Sequence, residues 1–130
     1  MAGYEVKKID DMEAVYQGLF KRVRAELGIS SFGIQVIDLP ANTDGYPEHD
    51  HADDGQEEAY FVLRGSAEIE IDGERFPIDP DTAVRVSAGT TRKVVTGGDS
   101  VRLLIVGGNP GKVYEPPSIS ELGEPDPMAS

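Results

Sequence analysis

Apolar residues along the chain follow two different periods. Met12, Val15, Leu19, Val23 and Leu27 recur at spacings of three and four, which predicts a helix over residues 11–27 with one apolar stripe. Asp10 or Asp11 can cap its start, and Gly28 ends it. From Phe32 onward the pattern becomes one of short strands. Residues 32–39 are apolar and β-branched, 40–45 form a loop, and 58–64 form the next strand, closed by Gly65. Ala67, Ile69 and Ile71 alternate with Glu68 and Glu70, so one face is apolar and the other charged. Asp72-Gly73 is a favoured two-residue hairpin turn, after which 75–78 return. Strands over 82–86, 90–96 and 101–106 complete the set. Short strands between regular Gly and Pro turns predict an all-β fold, an antiparallel sandwich or small barrel.

The strand after the loop is apolar on both sides. Glu58, Tyr60 and Val62 share one face; Ala59, Phe61 and Leu63 share the other. If the first face lines the interior, the second needs cover from the predicted helix or from a second subunit, and a homodimer is expected. The chain is read as an N-terminal segment (1–31), a barrel (32–107) and a Pro-rich tail (108–130), the tail tied down near Val113-Tyr114 and frayed at its end.

Composition narrows the function classes. One domain of 130 residues can bury a core. It has no cysteine, which removes disulfides, thiolate ligands and a cysteine nucleophile. A net charge of −12 repels phosphate backbones and anionic membrane surfaces, so neither nucleic acid nor membrane is an expected partner. No signal-peptide core or membrane span is legible, and a cytoplasmic location is expected. Ser66, Ser87 and Ser100 have no triad logic around them, and Gly107 to Gly111 lacks the Lys-Ser/Thr of a phosphate loop.

The chain's only two histidines, His49 and His51, stand two residues apart, and Glu58 follows seven residues later. In an extended segment i and i+2 point the same way, so the two imidazoles and a carboxylate on the next strand can converge on a metal. Asp50 alternates away from them; Asp53 and Asp54, with Gly55, read as a solvated loop, with a calcium loop the weaker alternative. Glu57 faces away if Glu58 faces the metal.

The run from Gly45 to Gly65 resembles the first motif of the cupin superfamily: a glycine, His-x-His, a glutamate, then six residues and a glycine. The text Glu-Glu-Ala-Tyr-Phe-Val-Leu-Arg-Gly is similar to the small single-domain cupins, with a shorter gap before His49 and a longer one before Glu58. The resemblance implies a double-stranded β-helix, or jelly roll, with a divalent metal (Fe, Mn, Ni or Zn) inside.

The second cupin motif departs from that pattern. Where the family places a fourth-ligand histidine, Ser87-Ala88-Gly89-Thr90-Thr91-Arg92 ends in arginine. A guanidinium stays protonated and cannot ligate. Three ligands then remain: His49, His51 and Glu58, an open site beside a fixed positive charge. Metal, Glu58 and Arg92 together leave two positive charges in an apolar interior, which favours an anionic ligand. The expected function is a metal-dependent enzyme of oxygenase, isomerase or lyase type acting on a small anionic organic substrate held by Arg92, Tyr60 and Gln35. The alternative is a binding or sensing barrel without metal, with Arg92 paired to Glu58.

Overall fold

The computed structural model describes residues 3–128. Its strands are β1 (Ala14–Val15), β2 (Phe20–Lys21), β3 (Gly33–Leu39), β4 (Glu57–Gly65), β5 (Ala67–Ile71), β6 (Glu74–Ile78), β7 (Ala83–Val86), β8 (Arg92–Val95) and β9 (Val101–Gly108). One α-helix, α1, spans Val23–Leu27. A six-stranded sheet runs β1-β2-β3-β9-β4-β7, and a three-stranded sheet runs β6-β5-β8, every pairing antiparallel. This is the all-β barrel that the alternation of residues predicts. Asp72 and Gly73 both take positive φ, 49° and 85°, and turn β5 back into β6 as the Asp-Gly pair requires.

The two sheets close over one core. Ile37 and Leu39 of β3, Tyr60 and Val62 of β4, Leu103 and Ile105 of β9 meet Ile69 of β5 and Val94 of β8. Fully burying an aliphatic side chain of this kind contributes about 1.5–3 kcal/mol. Across the larger sheet the residues align in rows, and the row Gly33–Gly107–Glu58 stands at the end of the inner face where the candidate site lies.

The helix expected over residues 11–27 is not one element. A 3-10 turn at Ile9–Asp11 is followed by the β1–β2 hairpin, and only Val23–Leu27 is α-helical. The chain reverses at Tyr16, Gln17 and Gly18, with φ of 55°, 59° and 88°. Left-handed backbone at two non-glycine residues is costly. The Asp126 carboxylate offsets that cost by accepting the N–H groups of Tyr16 and Gln17 at 2.9 and 3.3 Å. The three-and-four spacing of apolar residues is nevertheless used. Met12 and Val23 pack with Val36, with Leu27 and Leu104 beside them, on the outer face of β3 and β9. Asp10 caps nothing; it joins Asp38 on Arg102.

This cover lies over β3, so it does not reach the outer face of β4, where Phe61 and Leu63 stay exposed. The tail packs closely. Tyr114 is buried while Val113 is exposed, so the tyrosine alone is the anchor of that pair. Arg22, 1% exposed, donates to the carbonyls of Ile119 and Glu124 at 2.8 Å each and pairs with Glu13 at 2.7 Å. Among the described residues no helix is long and apolar enough to cross a membrane.

Candidate metal centre

His49 and His51 lie in the extended connection between β3 and β4, alongside β8 rather than within a regular strand. His49 exchanges two 2.9 Å backbone hydrogen bonds with Arg92, and His51 N–H donates to the Ala88 carbonyl at 2.7 Å. These bonds hold the segment straight enough for the i, i+2 rule to apply. The two rings stand 5.1 Å apart, edge to face. Glu58 enters from β4, while Glu57 is exposed on the other side. One ligand atom from each of His49, His51 and Glu58 lies within 4.8 Å of the others.

The donor set fits a divalent metal. Nδ1–H of His49 points to the Pro47 carbonyl at 3.0 Å, and Nδ1–H of His51 to both Asp54 carboxylate oxygens at 3.1 Å. Each ring therefore has its remote nitrogen fixed, which frees Nε2 as a ligand and sets the tautomer. Nε2 of His51 is buried, 3.2 Å from Glu58 Oε1, and makes no aligned hydrogen bond. A buried imidazole nitrogen of this kind calls for a partner.

Arg92 is completely buried at the start of β8. Nη2 donates to the Ser87 carbonyl at 2.9 Å, Nη1 lies 3.5 Å from Glu58 Oε1, and Nε and Nη1 make no hydrogen bond. The Tyr60 hydroxyl donates to Glu58 Oε1 at 3.0 Å and lies 3.4 Å from the Tyr46 hydroxyl. Burial pushes both phenols well above the usual tyrosine range, so both stay protonated. Burial also pushes the Glu58 carboxyl up, but His51, Tyr60 and Arg92 outweigh it and leave the group below its ordinary range. In return, Glu58 is the largest influence raising His51.

Gln35 shares the inner face of β3 and stands in the row of Ile105 and Tyr60. With its amide turned to face acceptors, its nitrogen donates to the Lys21 and Ile34 carbonyls at 3.0 and 3.1 Å. Asp50 and Asp53 are exposed, and Asp50 closes a turn onto Ala52 N–H. Asp54 is exposed, as the solvated-loop reading expects, and its carboxylate also orients His51 and accepts from Gln56 N–H at 3.1 Å. Spacing alone carries no signal for that role, since loop acids are common. Tyr46 was also without a sequence signal; its ring centroid lies 5.6 Å from that of His49.

Comparison with known proteins agrees with this fold. The chain has no match among curated proteins. Its fold is similar to a cupin protein from Bacteroides fragilis, at 20% identity and TM-score 0.71, over 92% of this chain and 95% of that one. It is similar also to a cupin-superfamily sugar phosphate isomerase from Silicibacter pomeroyi, at 21% identity and TM-score 0.67, over 81% and 76%. A chain from crystal structures of DMSP lyases matches at 20% identity and TM-score 0.55, over 65% and 45%. The family model described as "Cupin domain" matches residues 35–107, which run from within β3 to within β9 and include His49, His51, Glu58 and Arg92. With that match over more than half its length, the chain belongs to the cupin-domain family.

Proposed function

We propose that this protein is a metal-dependent cupin enzyme acting on a small anionic organic molecule, by chemistry of the oxygenase, isomerase or lyase type. His49, His51 and Glu58 would hold a divalent metal, Fe, Mn, Ni or Zn, and Arg92 would bind the anion. When bound, the metal supplies a Lewis acid with open coordination positions. Arg92 carries the reading. A buried guanidinium with two unpartnered nitrogens, Nε and Nη1, beside the ligand triad is a receptor for a carboxylate or similar oxyanion. Tyr60 holds its proton on Glu58 and fixes that carboxylate's orientation. The isomerase and lyase among the similar structures support the class of chemistry and do not choose within it.

A second reading is favoured by the 3.5 Å approach of Arg92 Nη1 to Glu58. There the guanidinium and carboxylate form an internal ion pair, and the barrel binds a small molecule without metal. Two clefts of about 340 and 290 Å³ lie at Val6–Met12 and beside Arg102, and neither is lined by His49, His51, Glu58 or Arg92. Elemental analysis after purification without chelating resins, followed by reconstitution with each metal, separates the readings. Near-stoichiometric metal is expected, and its reproducible absence after reconstitution sinks the first reading.

A further inference from the structure

Glu58, Gly107 and Gly33 stand side by side across β4, β9 and β3. Ile37 and Leu39, four and six residues after Gly33, face the core, so Gly33 faces it too. Two neighbouring inward positions beside a candidate ligand thus carry no side chain. Polar groups from elsewhere occupy the space they leave. A Cβ on Gly33 would lie 2.7 Å from the Tyr114 hydroxyl. A Cβ on Gly107 would lie 2.9 Å from Gln56 Oε1 and 3.2 Å from Glu58 Cγ. Gly33 and Gly107 are directly opposed on adjacent strands, so the phenol and the amide occupy successive positions of the row that ends at Glu58. Tyr114 is 6% exposed and Gln56 is 6% exposed. Among the described residues the Tyr114 hydroxyl has no hydrogen-bond partner.

We infer that Tyr114, delivered by the C-terminal segment onto Gly33, is a ligand-contacting residue of the Glu58 site and reads a hydroxyl or carbonyl on the bound molecule. The inference rests on the metal-and-anion reading above and adds a substrate class to it: a small carboxylate that also carries a neutral oxygen function. Arg92 takes the charged end. The phenol stays protonated, raised chiefly by burial with Asp54 and Glu58 adding to it, and so offers a neutral donor at the other end. Gln56 Oε1 offers a neutral acceptor over Gly107, the next position of that row. The tail is not a passive cover, because Arg22 fixes it through the Ile119 and Glu124 carbonyls and so holds Tyr114 in register with the barrel end.

The test uses the Co(II)-loaded full chain, followed by its visible absorption. The probes are glycolate, 3-hydroxypropionate and 4-hydroxybutyrate, each against its plain counterpart acetate, propionate or butyrate. In Tyr114→Phe, Co(II) affinity should stay within twofold of wild type. At least one hydroxy acid should weaken about fivefold, the loss expected for one neutral hydrogen bond, while its plain counterpart does not. Gly33→Ala, which displaces the hydroxyl and leaves it in the chain, should give the same selective loss. If every hydroxy-to-plain ratio is unchanged while Co(II) binds normally, the role of Tyr114 is overturned and the metal reading stands. Failure of the wild-type protein to bind Co(II) overturns both.

Discussion

Arg92 and His49 face each other across an isolated antiparallel bridge, each giving its N–H to the other's carbonyl at 2.9 Å. Residues opposed in this way project to the same side, so the bridge that presents the imidazole also presents the guanidinium. The charge next to the ligands is therefore built into the backbone pairing. Replacing Arg92 by Ala should leave Co(II) or Zn(II) affinity within about tenfold and abolish anion binding. His49→Ala should lose the metal itself. Isothermal titration with metal, then with acetate, checks both, and loss of metal in Arg92→Ala would contradict a receptor role separate from ligation.

Asp54 touches no candidate metal position, yet it holds His51 by both carboxylate oxygens. Removing such a partner typically lowers metal affinity 10- to 100-fold. Asp54→Ala should show a loss of about that size by competition with a chromogenic chelator. Asp50→Ala, next door and turned to solvent, should not. Equal effects from the two would mean that loop charge alone matters.

Arg22 is the buried centre of the clasp between the N-terminal hairpin and the tail. Arg22→Met strands the Ile119 and Glu124 carbonyls and removes the ion pair with Glu13, and should cost about 3 kcal/mol. A urea titration reads this as a lower midpoint with an unchanged slope. Limited proteolysis should then cut first between residues 112 and 126. An unshifted midpoint would show that the clasp adds nothing to stability.

Acid should open the same clasp. Met128 N–H chiefly, with the Tyr16 and Gln17 N–H groups, holds the Asp126 carboxyl below its usual range. Gly123 N–H and Arg22 do the same for Glu13, and Arg102 does so for Asp10. In each case the folded state binds fewer protons than the unfolded one, so the stabilisation is full above the unfolded values of 3.8 and 4.5 and is lost as pH falls through the folded ones. Melting temperature should decline below about pH 4.5. Asp126→Asn should start lower and decline less.

The barrel strands were readable because each carries its own evidence. Ala67 to Ile71 alternates cleanly, and Asp72-Gly73 admits few turn geometries. The candidate ligands were readable because imidazole is rare in this chain, and Arg92 because its place in the second motif is narrow. The region before β3 was not. A hairpin followed by one helical turn places Met12, Val15 and Val23 inward at the same spacings as a long helix. The hairpin's turn is supported by the bond that Asp126 makes to Tyr16, a contact 110 residues distant that no local window contains. Asp54 was missed for the same reason, since it acts through His51, a partner brought to it by the fold.

That contact has a further meaning for how the chain is strung. With Asp126 bonded to Tyr16 and Gly123 to Glu13, the N-terminal hairpin and the C-terminal segment are already side by side. Connectivity and geometry are then separable: a chain rejoined there and opened instead at the exposed Asp72-Gly73 turn keeps every row of both sheets. His49 and Glu58 would fall on one side of the new break and Arg92 on the other. They would still meet, because β-sheet pairing holds them together whatever the order of synthesis.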